Sequence, residues 1–254
     1  MQTERDRQDM IFGTRPLIEA FRSGMEIEKI LIQNGTKSPQ ILEILTLAKN
    51  HEVPYQLVPM EKLNRLTRKN HQGVVAFISP VVYQKIEFLI PMLFEAGETP
   101  FIIIMDKITD VRNFGAIART AEASGVQAIL IPTRGSALIT ADAVKTSAGA
   151  LTRINICRED NLKTSIDFLK KSGLKIAAIT EKSDGLLWDA DLNGPVALLM
   201  GSEETGISEA YLKMADLRLK IPMLGSIESL NVSVAAGIAC FEIIRQRIAT
   251  ANNS

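Results

Sequence analysis

The chain has 254 residues, with 29 basic and 29 acidic side chains, so its formal net charge is zero, which argues against a general nucleic-acid coat protein. Hydrophobic residues make up 46% of it, enough for a sizeable core, and nine Phe, three Tyr and one Trp leave that core mainly aliphatic. Two cysteines, Cys157 and Cys240, form no CxxC and no pattern with His51 or His71, which argues against a zinc site or a disulfide framework. The start, MQTERDRQDM, lacks the apolar stretch of a secretory signal, and no apolar run approaches membrane-spanning length. The expected setting is therefore soluble, reducing and cytoplasmic, without a membrane partner or a metal.

In chain order, TRPLIEAFRSG predicts a helix with Thr14 as N-cap, Pro16 in its first turn and Gly24 as its stop. EKILIQ reads as a strand, SPQILEILTLAKNH as a helix capped by Ser38, and YQLVP as a short strand. MEKLNRLTRK reads as a helix and GVVAFIS as a strand. Residues 1–80 are thus expected to form a small α/β domain, and 81–100, with its prolines, a linker. From 101 onward the strand candidates are FIIIM, QAILIP, INICR, KIAAIT and VALLMG. The helix candidates are 113–124, 140–149, 161–172, 207–214 and 231–248. Short apolar strands alternating with helices predict an α/β fold with a mostly parallel sheet and helices on both faces over 101–254.

Ligands of such sheets bind beyond the C-terminal strand ends, where helix N-termini present unpaired N–H groups. DVRNFGAIART (110–120) follows the strand FIIIM and occupies that place. Taken alone, Asn113 reads as a helix cap and Arg119 as a solvated charge. The GxGxxG of dinucleotide-binding folds is absent there, as is the GxxxxGK[ST] of a P-loop, which disfavours a nucleotide-dependent oxidoreductase. The glycines come later. LLMGSEETGIS (198–208) sets Gly201 and Gly206 around Glu203. IPMLGSIESLNVSVAAG (221–237) sets Gly225, Ser229, Asn231 and Ser233 at the entrance to the last helix, with Asn231 a candidate N-cap. A local basic run, Lys62, Arg65, Arg68 and Lys69, stands against Glu61 alone. On a helix, 62, 65 and 69 would share one side, a candidate RNA-phosphate face.

The three segments DVRNFGAIARTAEASG, LLMGSEETGIS and IPMLGSIESLNVSVAAGIACFE resemble, in order, the three motifs of the SpoU/TrmH-type RNA ribose 2′-O-methyltransferases of the SPOUT superfamily. IFGTRPLIEAFRSG and HQGVVAF resemble that family's small substrate-binding domain, so the resemblance covers nearly the whole chain. SLNVSVAAG after IPM is its most specific part. One departure is visible: Val111 stands where the family usually has a proline after the Asp of its first motif.

The resemblance implies a deep trefoil knot near the C-terminus, S-adenosylmethionine (SAM) as methyl donor, a homodimer joined through the C-terminal domain, and RNA as substrate. The closest architecture is that of enzymes methylating a guanosine ribose of 23S, large-subunit rRNA. A tRNA ribose is the alternative, as is an RNA-binding paralogue that has lost catalysis. Retention of Asn113, Arg119, Glu203, Ser229 and Asn231 speaks against the last. By resemblance Gly201, Ile221 and Leu230 line the cofactor pocket, with Met223, Ser229 and Asn231 in its wall. The implied catalytic set is Arg119, Asn113, Glu203, Ser229 and Asn231. The family assigns removal of the 2′-hydroxyl proton to the arginine. A guanidinium stays charged in proteins and would more naturally grip a phosphate or a developing alkoxide. Asn113 is expected to orient the arginine or the ribose. Glu203 is expected to pair with Arg119 or to hydrogen-bond within the site.

Overall fold

In a computed structural model of the protein, residues 10–227 and 229–252 are described. The stretch 1–9, which carries the expectation of no secretory signal, lies outside them, as does Glu228 of the third motif. The chain divides into two compact units. One runs to Val82 and includes Leu138–Ala141; the other comprises Tyr83–Ala137 and the chain from Asp142.

The first unit contains β1 (Met10–Phe12), α1 (Thr14–Arg22), β2 (Ile27–Gln33), α2 (Pro39–Asn50), β3 (Tyr55–Val58), α3 (Met60–Leu66) and β4 (Val74–Ile78). Its sheet has the order β1-β4-β2-β3. Strand β4 is antiparallel to both neighbours, and β2 is parallel to β3. One face buries Ile30, Ile32, Val74 and Ala76 under α1 and α2; the other buries Leu31, Val58 and Val75 under Leu63 of α3. Ser38 caps α2, its hydroxyl accepting from Ile41 N–H at 3.2 Å. Thr14 does not cap α1. Gly13 holds that position with φ 93°, and Gln72 Oε1 accepts from the Thr14 amide at 3.1 Å and its hydroxyl at 3.0 Å. Helix α3 is shorter than the sequence predicts. Thr67 is extended, and its hydroxyl accepts from Lys69 N–H at 3.2 Å, offering the backbone a partner outside the helix. Arg68 and Lys69 therefore lie beyond the helix rather than on its face.

The second unit contains β5 (Tyr83–Gln84), α4 (Ile86–Glu95), β6 (Phe101–Met105), α5 (Val111–Ala123), β7 (Ala128–Pro132), α6 (Ala141–Thr146, whose first residue groups with the smaller unit) and β8 (Asn155–Glu159). After these come α7 (Leu162–Lys171), β9 (Lys175–Ile179), β10 (Gly185–Leu186), β11 (Val196–Met200), α8 (Glu209–Leu212), β12 (Leu217–Lys220) and α9 (Val232–Ala251). The strands form one eight-stranded sheet, β10-β12-β9-β11-β6-β7-β8-β5, in which every pair is parallel. All five residues of β6 and of β11 are buried, as central parallel strands require. One face buries Ile102, Ile104, Leu130, Ala178 and Leu199 with Ile90 of α4 and Ile166 of α7. Helices α5 and α9 lie outside that cluster, pack on one another, and α9 also packs on β11.

The stretch expected as a linker, 81–100, contributes to this second unit. Tyr83 and Gln84 form its edge strand, and Ile86 and Ile90 enter its core. The amphipathic spacing there belongs to a docked helix, in spite of Pro91 inside it. Strands β10 and β12 are not anticipated by the sequence. LRLK alternates apolar and charged residues over only four positions, too few for a clear period.

Candidate active site

Three loops meet at the C-terminal ends of β6 and β11 and the start of α9. After β6, Asp110 caps α5; its Oδ1 accepts from the Arg112 and Asn113 amides, each at 2.9 Å. The cap is thus Asp110, and the Asn113 side chain is free for other work. Two residues on, a Cβ on Gly115 would sit 2.7 Å from Thr146 Cγ2, so only glycine lets α6 approach α5 this closely.

After β11 the chain turns back on itself. A Cβ on Gly201 would lie 2.2 Å from the Gly206 carbonyl carbon and the Ile207 nitrogen. Within the turn, Gly206 N–H donates to Ser202 O and Thr205 N–H to Ser202 Oγ. The turn is anchored from below by Asp106, buried at the end of β6, whose Oδ2 accepts from Ser208 N–H at 2.6 Å. Burial first, and then the nearby Asp106 charge, raise the pKa of Tyr211 behind this loop.

This turn delivers Glu203 to the N-terminus of α9. Glu203 Oε1 accepts from Asn113 Nδ2 at 3.2 Å, from Val232 N–H at 3.3 Å, and from Asn231 Nδ2. Asn231 Nδ2 also donates to Asn113 Oδ1 at 3.0 Å, while Asn231 Oδ1 caps α9 by accepting from Ser233 N–H at 2.9 Å. A carboxylate at a helix N-terminus is stabilised by the unpaired amides and the dipole there. One residue from each motif is thereby locked into a single polar hub.

Of the two alternatives for Glu203, it is the hydrogen bonding within the site that the structure shows, not a pair with Arg119, and the Asn113 amide is committed to Glu203 and Asn231 rather than to the arginine. Six residues of helix separate 113 from 119, which puts them roughly 120° apart around α5. Arg119 is exposed, shares its face with Arg112 one heptad earlier, and makes no hydrogen bond or ion pair among the described residues.

Beside the hub lies a cleft lined by residues 179–182, residues 200–207, Ile221, Met223, Ser229, Leu230, Val232 and Ala235. Of the residues expected around a cofactor, Gly201, Ile221, Met223, Ser229 and Leu230 line it. Asn231 does not, because its amide turns into the hub. Gly225 has an ordinary φ and nothing within 4 Å of a Cβ, so no tight turn demands glycine there. Sequence reasoning missed residues 179–182, at the end of β9. The signal was available in principle: β9 pairs with β11, so its end borders the same crevice.

In the smaller unit, Lys62, Arg65, Arg68 and Lys69 are all exposed. The Lys69 ammonium lies 5.1 Å above the Phe12 ring. Burial, and then the Lys62 charge, lower the pKa of neighbouring Lys29. Both thiols, Cys157 and Cys240, are buried, which pushes each up to about 12. Among the described residues there is no cluster of His, Cys, Asp and Glu that could hold a metal, and no helix long and apolar enough to cross a membrane.

Known proteins match both units. The model of the SpoU rRNA Methylase family matches residues 100–241, and that for RNA 2′-O ribose methyltransferase substrate binding matches residues 10–84. A Staphylococcus aureus protein assigned to the TrmH family of tRNA/rRNA methyltransferases is 38% identical over 241 residues, 94% of this chain and 96% of its own. The crystal structure of an AdoMet-bound rRNA methyltransferase from Sinorhizobium meliloti has a TM-score of 0.60 at 25% identity, over 95% of this chain and 89% of its own. That of the A. aeolicus TrmH/SpoU tRNA modifying enzyme has a TM-score of 0.55 at 30% identity, over 65% of this chain and 85% of its own.

Proposed function

The chain belongs to the SpoU rRNA methylase family and is a SAM-dependent RNA 2′-O-ribose methyltransferase, and from that premise we propose that its substrate is a guanosine of 23S, large-subunit rRNA. The observation that carries the methyl-transfer site is the hub of Asn113, Glu203 and Asn231 bordering the cleft. Preference for rRNA is supported by coverage. The rRNA methyltransferase neighbour spans 95% of the chain, whereas the tRNA modifying neighbour spans 65%.

The cleft residues suit SAM. Ile179, Ile221 and Leu230 offer apolar contact to an adenine ring, and the close turn at Gly201 brings backbone groups to its edge. Thr180, Glu181, Lys182 and Ser229 offer hydrogen bonds to ribose hydroxyls and to the charged methionine end. When bound, SAM supplies an electrophilic methyl group on a sulfonium. The protein's task is alignment and charge stabilisation. Glu203 and Asn231 hold the cleft wall and Asn113 in register as positioning residues. To Arg119, exposed and unpaired among the described residues, this reading gives the role of gripping a substrate phosphate and stabilising the ribose oxygen as it gains negative charge.

A homodimer is part of the same reading. Val234, Phe241 and Ile248 of α9 stand 49%, 53% and 56% exposed at seven-residue spacing, a stripe that a second copy would cover. The reading includes the trefoil knot that the motifs imply for the C-terminal segment, where the chain leaves β12, lines the cleft with Ile221 and Leu230, and continues as α9 against α5.

The test is a map of 2′-O-methyl groups in RNA from cells with and without the gene. Loss of one guanosine methyl in 23S rRNA is expected; loss confined to tRNA overturns the rRNA assignment. With purified protein, Arg119→Ala should lower turnover by orders of magnitude with SAM affinity nearly unchanged, the mark of an interaction made in the transition state. A SAM titration separates this enzyme from an inactive paralogue, which would bind none.

A further inference from the structure

A second basic feature lies in the larger unit, apart from the α3 run. Strands β6 and β7 are neighbours in parallel register, with Ile104 opposite Leu130, so their ends open side by side, about 5 Å apart. Lys107 follows the first and Arg134 the second, both exposed. The loops that carry them are tied by Ala137 N–H donating to Ile108 O at 2.8 Å. Lys107 adopts φ 56°, a left-handed conformation uncommon for a residue with a side chain. Arg112 opens α5 directly after this loop, and Lys145 sits on α6, which Gly115 admits against α5.

None of Lys107, Arg112, Arg134 and Lys145 makes an ion pair among the described residues. The acids of this region are engaged elsewhere or too few to balance them. Asp106 holds Ser208, Asp110 caps α5, Glu122 lies 3.7 Å from Arg153 and Glu159 lies 3.7 Å from Lys85, leaving Asp142 at the start of α6 and Asp160 beyond the end of β8, two acids against four bases. Exposed bases gathered at one sheet edge without balancing acids create a local positive potential that draws in anions, even on a chain of zero net charge.

We propose that Lys107, Arg112, Arg134 and Lys145 form a phosphate track leading to Arg119, and that it holds the RNA strand flanking the methylated ribose. The inference rests on the reading of the chain as an RNA methyltransferase, and adds where the catalytic unit itself grips the substrate. Phosphate contacts fix register without reading sequence. The track therefore sets which ribose reaches the cleft, and leaves the choice of RNA to other contacts.

The test uses the full chain and a fluorescein-labelled single-stranded oligoribonucleotide, since phosphate contacts need no particular sequence. Lys107→Asn/Arg134→Gln removes two charges outside the methyl-transfer site, and asparagine tolerates the left-handed backbone at 107. Its RNA affinity should fall several-fold at low salt. The log–log salt slope should drop by roughly 1.4, about 0.7 for each phosphate left unneutralised on a single strand. SAM affinity and melting temperature should stay at wild-type values, KM for RNA should rise and kcat should hold. Lys107→Arg/Arg134→Lys, which keeps both charges, should keep the slope. A double variant with wild-type affinity and slope overturns the track, as does wild-type binding that is insensitive to salt. A wild-type protein that binds RNA with this slope but transfers no methyl group overturns the methyltransferase reading and leaves the track standing.

Discussion

At the scale of single residues, two glycines that look alike in the sequence are separated by what surrounds them. Gly201 and Gly225 both sit in loops near the cleft. A Cβ on Gly201 would occupy the space of the Gly206–Ile207 peptide at 2.2 Å, whereas one on Gly225 would meet nothing within 4 Å. Gly201→Ala must push the 201–208 turn open. That displaces Glu203 from the start of α9 and loosens the cleft wall together. SAM affinity by calorimetry should fall at least tenfold, with a lower melting temperature. Gly225→Ala should change either by less than a factor of two. Equal effects at the two positions would count against the turn as the device that shapes the cleft.

Two elements carry predictions of their own. Helix α5 begins at Val111, and the residue before it, Asp110, is extended (φ −75°, ψ 122°), the conformation that a following proline prefers. Proline suits the first position of a helix, because its fixed φ is helical and the N–H it lacks has no partner in the helix. The Asp110 cap already holds the turn that a proline would stiffen. Val111→Pro should thus stabilise by about 0.4–1 kcal/mol through the unfolded chain, a rise of roughly 1–4 °C in Tm. A lower Tm would mean that the Val111 side chain or amide is needed as it is. For α3 and the residues after it, Lys62→Ala/Arg65→Ala/Arg68→Ala should weaken RNA binding across sequences. Its salt slope should flatten by roughly 0.7–0.9 for each phosphate these side chains neutralise. SAM binding should persist. Lys69 is left in place because its ammonium lies over Phe12, and removing it would disturb packing as well as charge. An unchanged slope would make this run a solvated face.

For the whole molecule, the exposed stripe of α9 sets the expectation. Phe241 and Ile248 are legible as apolar positions at helical spacing, and both stand out from the unit. Ile244, three residues after Phe241, is half-buried, whereas Val234, seven residues before Phe241, stands on the outer side. Phe241→Glu/Ile248→Glu should give a monomer in light scattering at micromolar concentration, where the wild type should give a dimer. A monomeric wild type would refute the interface.

Strands β6, β7, β8, β9 and β11 of the larger sheet, the capping roles of Ser38 and Asn231, and the three chemistry-bearing loops could all be read from the sequence. Each depends on local period, turn chemistry or a motif within about twenty residues. The end of α3 after Leu66 was misplaced because a side chain, that of Thr67, competes with the helix for the backbone. The docking of 83–95 on the larger sheet was missed because a short amphipathic helix looks the same whether it docks or bridges. What only the tertiary structure decided is the partnering of polar groups. Glu203 could have met Arg119 or Asn113. Its choice follows from where β6 and β11 end side by side and how far round α5 each residue points, and neither is a property of the local chain. Adjacent parallel strands bring together residues that lie ninety positions apart in the chain, as 113 and 203 do. A hub built across such strand ends becomes visible only when the sheet order is known.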